Sequence, residues 1–166
     1  GKTLLDVGTG AGFPGLPLKI LCPTLEVTLL DSLGKRVRWL REVSEQLGLS
    51  GVTAIHARSE EQALVKGFRD SFDFVTARAV ADLRLLAELC LPFVKVGGVF
   101  LAMKGTAAQE EAQEAKRAMA LLGGQLEQLP VFCIEGTEHA VAVIRKIRPT
   151  PLAYPRRFGK IKQQPL

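Results

Sequence analysis

Leu4-Leu5-Asp6-Val7-Gly8-Thr9-Gly10-Ala11-Gly12-Phe13-Pro14-Gly15 is the stretch whose reading decides the fold. Mostly apolar residues run into glycines at alternate positions, with an acid two residues before the first glycine. A buried strand that ends in such a loop lets the backbone approach a ligand where any Cβ would block it. In nucleotide-binding α/β folds the ligand lies at the carboxyl ends of parallel strands. Asp6 is expected to face that ligand. A carboxylate there repels a pyrophosphate and attracts a cationic amine or sulfonium.

Outward from this loop, strand and helix signals alternate. Strands are expected at Thr3–Val7, Glu26–Leu30 (closed by Asp31), Val52–His56, Phe72–Ala77 and Gly98–Met103. Helical spacing or helix punctuation marks Gly15–Leu21, Lys35–Leu47, a start at Ser59 as cap, Asp82–Leu91, and the Ala/Glu/Gln-rich stretch Thr106–Leu122. Gln125–Pro130 and Ala140–Ile147 read as the last two strands, joined through Cys133–His139 with no helix between them. Alternation implies a mostly parallel sheet covered on both faces. The short last connection permits only antiparallel pairing. The expected architecture is therefore α/β and Rossmann-like, a mostly parallel seven-stranded sheet with a final antiparallel strand and helices on both faces.

The 166 residues amount to about one domain. No apolar run reaches the roughly 20 residues of a membrane span. Cys22, Cys90 and Cys133 have no CxxC spacing and sit in apolar stretches, as reduced core thiols do. The net charge of +5 is uneven. Residues 1–144 hold 15 bases and 17 acids, whereas residues 145–166 hold seven bases and no acid. Aromatics and prolines interleave that basic ending, so it reads as a contact for nucleic acid. The bland alternative is a solvated tail.

Three readings of the loop compete. Gly10, Gly12 and Gly15 satisfy G-x-G-x-x-G, but a dinucleotide fingerprint opens directly after its strand, and Gly10 lies three positions beyond Val7. A glycine-rich turn without a ligand is the plainest reading. The pattern Asp-x-Gly-x-Gly-x-Gly resembles motif I of S-adenosylmethionine (SAM) methyltransferases. Asp31 ends the second strand 19 residues after Gly12, a place from which an acid accepts ribose hydroxyls. Arg58-Ser59-Glu60 follow the third strand, Arg78 the fourth and Lys104 the fifth. Five successive strand ends thus bring polar or glycine residues to one crevice. His56 and His139 read as structural histidines, since neither stands at a strand end facing that crevice.

Val7–Gly15, Asp31-Ser32-Leu33-Gly34-Lys35-Arg36, Ala57–Glu60, Ala77–Ala81, Met103-Lys104-Gly105 and Tyr154–Lys162 together resemble the RsmG (GidB) family, bacterial 16S rRNA guanine-N7 methyltransferases. The likeness covers essentially the whole chain. It implies a class I SAM-dependent methyltransferase fold, with residues 1–148 as the SAM-binding domain, 149–166 as its basic extension, and the family's N-terminal helical region absent. It implies methyl transfer from SAM to N7 of a guanine in 16S rRNA of the small ribosomal subunit, with S-adenosylhomocysteine as product. Asp6, Gly8, Gly10, Gly12, Phe13, Asp31, Ser32, Leu33, Ser59, Glu60 and Arg78 would hold the cofactor. Lys104 and Arg78 would serve the reaction. Arg58, Arg156, Arg157, Lys160 and Lys162 would face RNA. No metal is implied, and a cytoplasmic monomer is expected. A SAM methyltransferase for another RNA or a small molecule, and an NAD-binding enzyme, are the alternatives.

Overall fold

Alternate residues of the first strand point into two separate cores. The computed structural model describes residues 1–78 and 81–166; Ala79 and Val80, from the Ala77–Ala81 motif, lie outside the described residues. β1 (Thr3–Val7) sends Leu4 to a cluster with Leu16, Val27, Leu29, Val37, Leu40 and Ala54. Leu5 and Val7 enter a larger cluster with Val75, Leu86, Phe93 and Phe100 on the other face. The period of two along a strand buried on both faces makes the chain wind over both sides of one sheet.

β1 is followed by α1 (Gly15–Leu21), β2 (Glu26–Asp31), α2 (Gly34–Gln46), β3 (Val52–His56), α3 (Ser59–Gln62) and β4 (Phe72–Arg78). Next come α4 (Leu83–Cys90), a 3-10 turn at Leu91–Phe93, β5 (Val94–Lys104), α5 (Ala108–Glu114), α6 (Lys116–Leu121), β6 (Gly124–Gln128), β7 (Val131–Ile134), β8 (Thr137–Lys146) and α7 (Phe158–Gln163). α4 starts where Asp82 accepts hydrogen bonds from the Arg84 and Leu85 amides. α2 buries Val37 and Leu40 and turns its arginines to the surface.

The strand order is β3-β2-β1-β4-β5-β8-β6, with β7 paired to β8. β1 to β5 run parallel, and β8 runs antiparallel to both β5 and β6. β2 and β4 leave β1 in opposite directions, which opens a crevice at the carboxyl end of β1.

Four expectations need correction. Among the described residues the sheet has eight strands, not seven. The expected Cys133–His139 connection is a two-residue hairpin, Glu135-Gly136, with φ of 48° and 77°. Both central residues take the positive φ of a tight hairpin turn. All four residues of β7 are exposed, so backbone pairing and not burial holds this strand, and no apolar alternation marks it. The helix expected over 106–122 is two helices meeting at Ala115. Of the cysteines only Cys90 is buried, where desolvation pushes its thiol well up; Cys22 and Cys133 are exposed.

Candidate active site

Asp6 builds the glycine loop from beneath. Its Oδ2 accepts from Thr9 Oγ1 at 2.7 Å and from the Gly15 amide at 3.0 Å, and its Oδ1 accepts from Thr76 Oγ1 at 3.1 Å. The residue is fully buried. Burial raises its carboxyl above the ordinary value, against the pull of those three hydrogen bonds. Asp6 therefore does not face a ligand, as its place before the glycines suggests; it shapes the turn. A Cβ at Gly15 would lie 2.5 Å from Leu29 Cδ2 and 3.0 Å from Asp6 Oδ2, so any side chain there forces the buried Leu29 and Asp6 to shift. Gly12 likewise faces protein, with Leu16 Cδ1 2.5 Å from a Cβ there. Gly10 is different. At φ +60° its missing Cβ looks into open space with nothing within 4 Å.

That space is a crevice of about 400 Å3, lined by Gly8, Thr9, Gly10, Phe13, Asp31, Ser32, Arg36 and Arg78. A narrower recess of about 180 Å3 shares Gly8, Asp31 and Ser32 and continues past Ala57, Arg58, Ser59 and Glu60 to Phe158. Asp31 stands at the join. It is buried, and its oxygens accept from the Gly10 amide at 3.0 Å and the Leu33 amide at 2.9 Å. Arg36 lies 3.8 Å away. Asp31 is thus a turn-forming residue, and each oxygen keeps a second lone pair for a ligand hydroxyl. Leu33 is exposed but does not line either recess.

Ser59 is not a helix cap. It is the first residue of α3, and its hydroxyl donates to the Leu89 carbonyl at 2.6 Å. Glu60 is buried and accepts from Arg58 Nε at 2.7 Å. The Arg58 guanidinium lies 4.9 Å over the Phe158 ring. Arg58 is therefore packed between α3 and the C-terminal helix, partly exposed and already paired.

A third and larger cavity, about 690 Å3, adjoins the crevice at Arg78, which lines both. The five strand ends thus serve two neighbouring hollows, not one. Arg78 is exposed, with its guanidinium 5.7 Å over the ring of the half-exposed Phe13. The larger cavity lies between the β5 end and the β7–β8 hairpin, with Phe132 and His139 stacked at 6.1 Å between centroids. His139 therefore does face a cavity, contrary to its reading from sequence. His56 does not; its Nε2 lies 3.0 Å from the Ser32 carbonyl oxygen. Lys104 lines the cavity as an engaged cation, 2.8 Å from Glu111 Oε2 and donating to the Ala81 carbonyl.

Folding pairs three of the seven bases of the ending with acids. Arg156 grips the fully buried Glu88 with Nε at 2.9 Å and Nη2 at 2.7 Å, and its amide adds a third bond at 2.8 Å. This pairing raises the guanidinium's pKa further. Arg156 is therefore a structural anchor and does not present itself to RNA. Lys146 is fully buried on Asp70 at 2.7 Å and on the Leu91 carbonyl, and Arg145 pairs with Glu127. Arg157, Lys160 and Lys162 are exposed and make no ion pair among the described residues. Glu88 and Glu111 escape a reading of the sequence. The single acid in the apolar run Leu85-Leu86-Ala87-Glu88-Leu89 is a signal for the first; nothing in the alanine-rich helix singles out the second.

Comparison with known proteins agrees with this geometry. Residues 1–141 match the family described as GidB: rRNA small subunit methyltransferase G. A ribosomal RNA small subunit methyltransferase G of Clostridium botulinum is 50% identical over 99% of this chain and 70% of its own length. One from Lactobacillus johnsonii is 48% identical over the same shares, 99% and 70%. The crystal structure of M. jannaschii TYW2 in complex with AdoMet superposes with a TM-score of 0.68 at 20% identity, covering 88% of this chain and 69% of that one, a likeness of fold. With half of its positions shared along almost all of its length, and the family pattern matched through both hollows to the β8 strand, the chain belongs to the GidB family of rRNA small subunit methyltransferase G proteins.

Proposed function

We propose that this chain transfers the methyl group of SAM to N7 of a guanine in 16S rRNA of the small ribosomal subunit. The observation that carries the reading is the pair of hollows meeting at Arg78, one beside the glycine loop and one beneath the β7–β8 hairpin. The residues fit the cofactor. The open space beside Gly10, the spare lone pairs of Asp31 and the recess running to Phe158 suit a ligand with a ribose in the middle and a flat ring at one end. The crevice lies within the roughly 300–1,000 Å3 usual for small-molecule sites.

When bound, SAM supplies a methyl group made electrophilic by its sulfonium. On this reading the chain's residues orient both reactants. Gly8 and Gly10 admit the cofactor's close approach, Asp31 accepts its ribose hydroxyls, and Ser59 and Glu60 border its adenine. Arg78 holds an anionic group at the join. The guanine N7 lone pair lies in the ring plane on the major-groove edge. It forms the new bond to carbon while the sulfur keeps the departing pair. No proton leaves, so no general base is required, and His139 serves as an aromatic wall. Catalysis then rests on alignment of the two reactants. Arg157, Lys160 and Lys162 contact RNA phosphates.

The test is incubation with SAM and small-subunit rRNA that lacks the mark, followed by nucleoside mass spectrometry and by aniline cleavage after borohydride reduction. The expected product is 7-methylguanosine. Methylated cytosine, adenine or guanine N2 as sole product overturns the reading. Calorimetry with SAM, S-adenosylhomocysteine and NAD is expected to favour the first two.

A further inference from the structure

Lys104 and Glu111 form a couple in the wall of the larger cavity, and the alignment of reactants described above makes no use of it. Lys104 ends β5 and Glu111 belongs to α5; their charged atoms are 2.8 Å apart. Both are braced from behind. Glu111 Oε2 also accepts from the Leu83 amide at 2.9 Å, and Lys104 also donates to the Ala81 carbonyl. Their side chains are 22% and 6% exposed, so the couple is set into the wall and does not move freely in solvent. It offers a fixed donor beside a fixed acceptor. The lysine ammonium has three N–H bonds, of which these contacts take two, and Glu111 Oε1 accepts no hydrogen bond among the described residues. Across the same cavity, the stacked Phe132 and His139 rings are tilted by only 21° and provide a flat surface for a purine.

A donor beside an acceptor complements an acceptor beside a donor. Guanine meets it with O6 on the donor and N1–H on the acceptor, which leaves N7 on the donor's side; adenine has the order reversed and meets the couple only when turned over, which carries its N7 to the opposite side. We propose that Lys104 and Glu111 read the acceptor base, Lys104 donating to O6 and Glu111 accepting from N1–H. This rests on the proposed guanine-N7 activity and names the residues that choose the base. Held by that edge, the guanine keeps its N7 lone pair free. As N7 gains the methyl group the ring becomes cationic and its N1–H more acidic. The carboxylate bond then strengthens in the transition state, where it counts toward rate.

The experiment compares wild type with Glu111→Gln on small-subunit rRNA carrying guanine or adenine at the mapped target. The amide preserves shape and the Leu83 contact but can turn its N–H to adenine N1. The variant is expected to keep SAM affinity within twofold, to lose at least tenfold in kcat/KM on guanine, and to discriminate guanine from adenine at least tenfold less. An unchanged kcat/KM on guanine, or an unchanged ratio, overturns the proposal. Wild-type protein supplies a second measurement that does not depend on how the variant folds. Replacing the target guanine by 2-aminopurine keeps N7 but removes O6 and N1–H. The rate is expected to fall at least about a hundredfold, since a site built for a hydrogen bond rejects the analogue without it by up to about 10⁴–10⁵. An undiminished rate overturns the assignment. Failure of wild type to make any 7-methylguanosine counts instead against the activity itself.

Discussion

At the scale of single residues, Asp31 and Gly10 divide the work of the glycine loop. The Asp31 carboxylate ties Gly10 to Leu33 and keeps lone pairs for a ligand. Asp31→Ala is expected to weaken SAM binding by about 1.5–3 kcal/mol, the scale of a hydrogen bond to a charged group. Calorimetry that finds unchanged affinity would leave Asp31 as a turn residue alone. Gly10→Val places a branched side chain where no protein atom lies within 4 Å. The strain of a positive φ there costs on the order of 1–2 kcal/mol, so the fold survives while SAM binding is lost. A variant that still binds SAM with native affinity would contradict the open space being the cofactor's place. The spacing of these residues was readable along the chain. The role of Asp6 was not, because only the folded loop brings Thr9, Gly15 and Thr76 onto one carboxylate.

At the scale of elements, Asp73 ties together the amino-terminal ends of the central strands β1, β4 and β5. It accepts from the Thr3 amide at 2.9 Å and Thr3 Oγ1 at 3.0 Å, and it pairs with Lys95 and Lys2. Lys95 and the Thr3 amide chiefly hold its carboxyl well below the ordinary 3.8. A carboxyl lowered by folding stabilises the protein fully above its unfolded value and loses that contribution as pH falls toward the folded value. Asp73→Asn is therefore expected to be less stable than wild type at pH 7, by about 1–3 kcal/mol. The two urea denaturation curves should approach each other below pH 3.8. A constant gap across that range would disprove the ionic role. Elements with a buried face were legible in the sequence, since burial imposes periodicity. β7 was not, because all its side chains are exposed and, among the described residues, it pairs with β8 alone.

At the scale of the whole molecule, pairing redistributes the charge that the sequence concentrates at one end. Arg156→Ala leaves the buried Glu88 carboxylate with the residue-156 amide but no opposite charge, a loss of about 3–5 kcal/mol. It is expected to lower the melting temperature, with RNA binding affected only through folding. Changing Arg157, Lys160 and Lys162 together to Ala is expected to keep the melting temperature and SAM affinity. It should flatten the log–log salt dependence of RNA binding by roughly two, from about 0.7–0.9 per phosphate contact. An unchanged slope would make the tail a solubility feature.

What the sequence determined by itself was the order of the strands β1 to β5 and the helices between them, the glycine loop and the acid that closes the second strand. These follow from short-range rules of periodicity, turn geometry and spacing, which act within a few residues. The tertiary structure alone decided which charges remain free. Lys146 meets Asp70, Arg156 meets Glu88 and Arg69 meets the Tyr154 carbonyl across 76, 68 and 85 residues. A buried charge must find its partner wherever the fold brings one, because an unpaired ion in the interior is costly. No local pattern records that meeting. Lys104, read along the chain as a strand-end residue serving the reaction, is for the same reason half of a couple with Glu111 in the wall of the larger cavity.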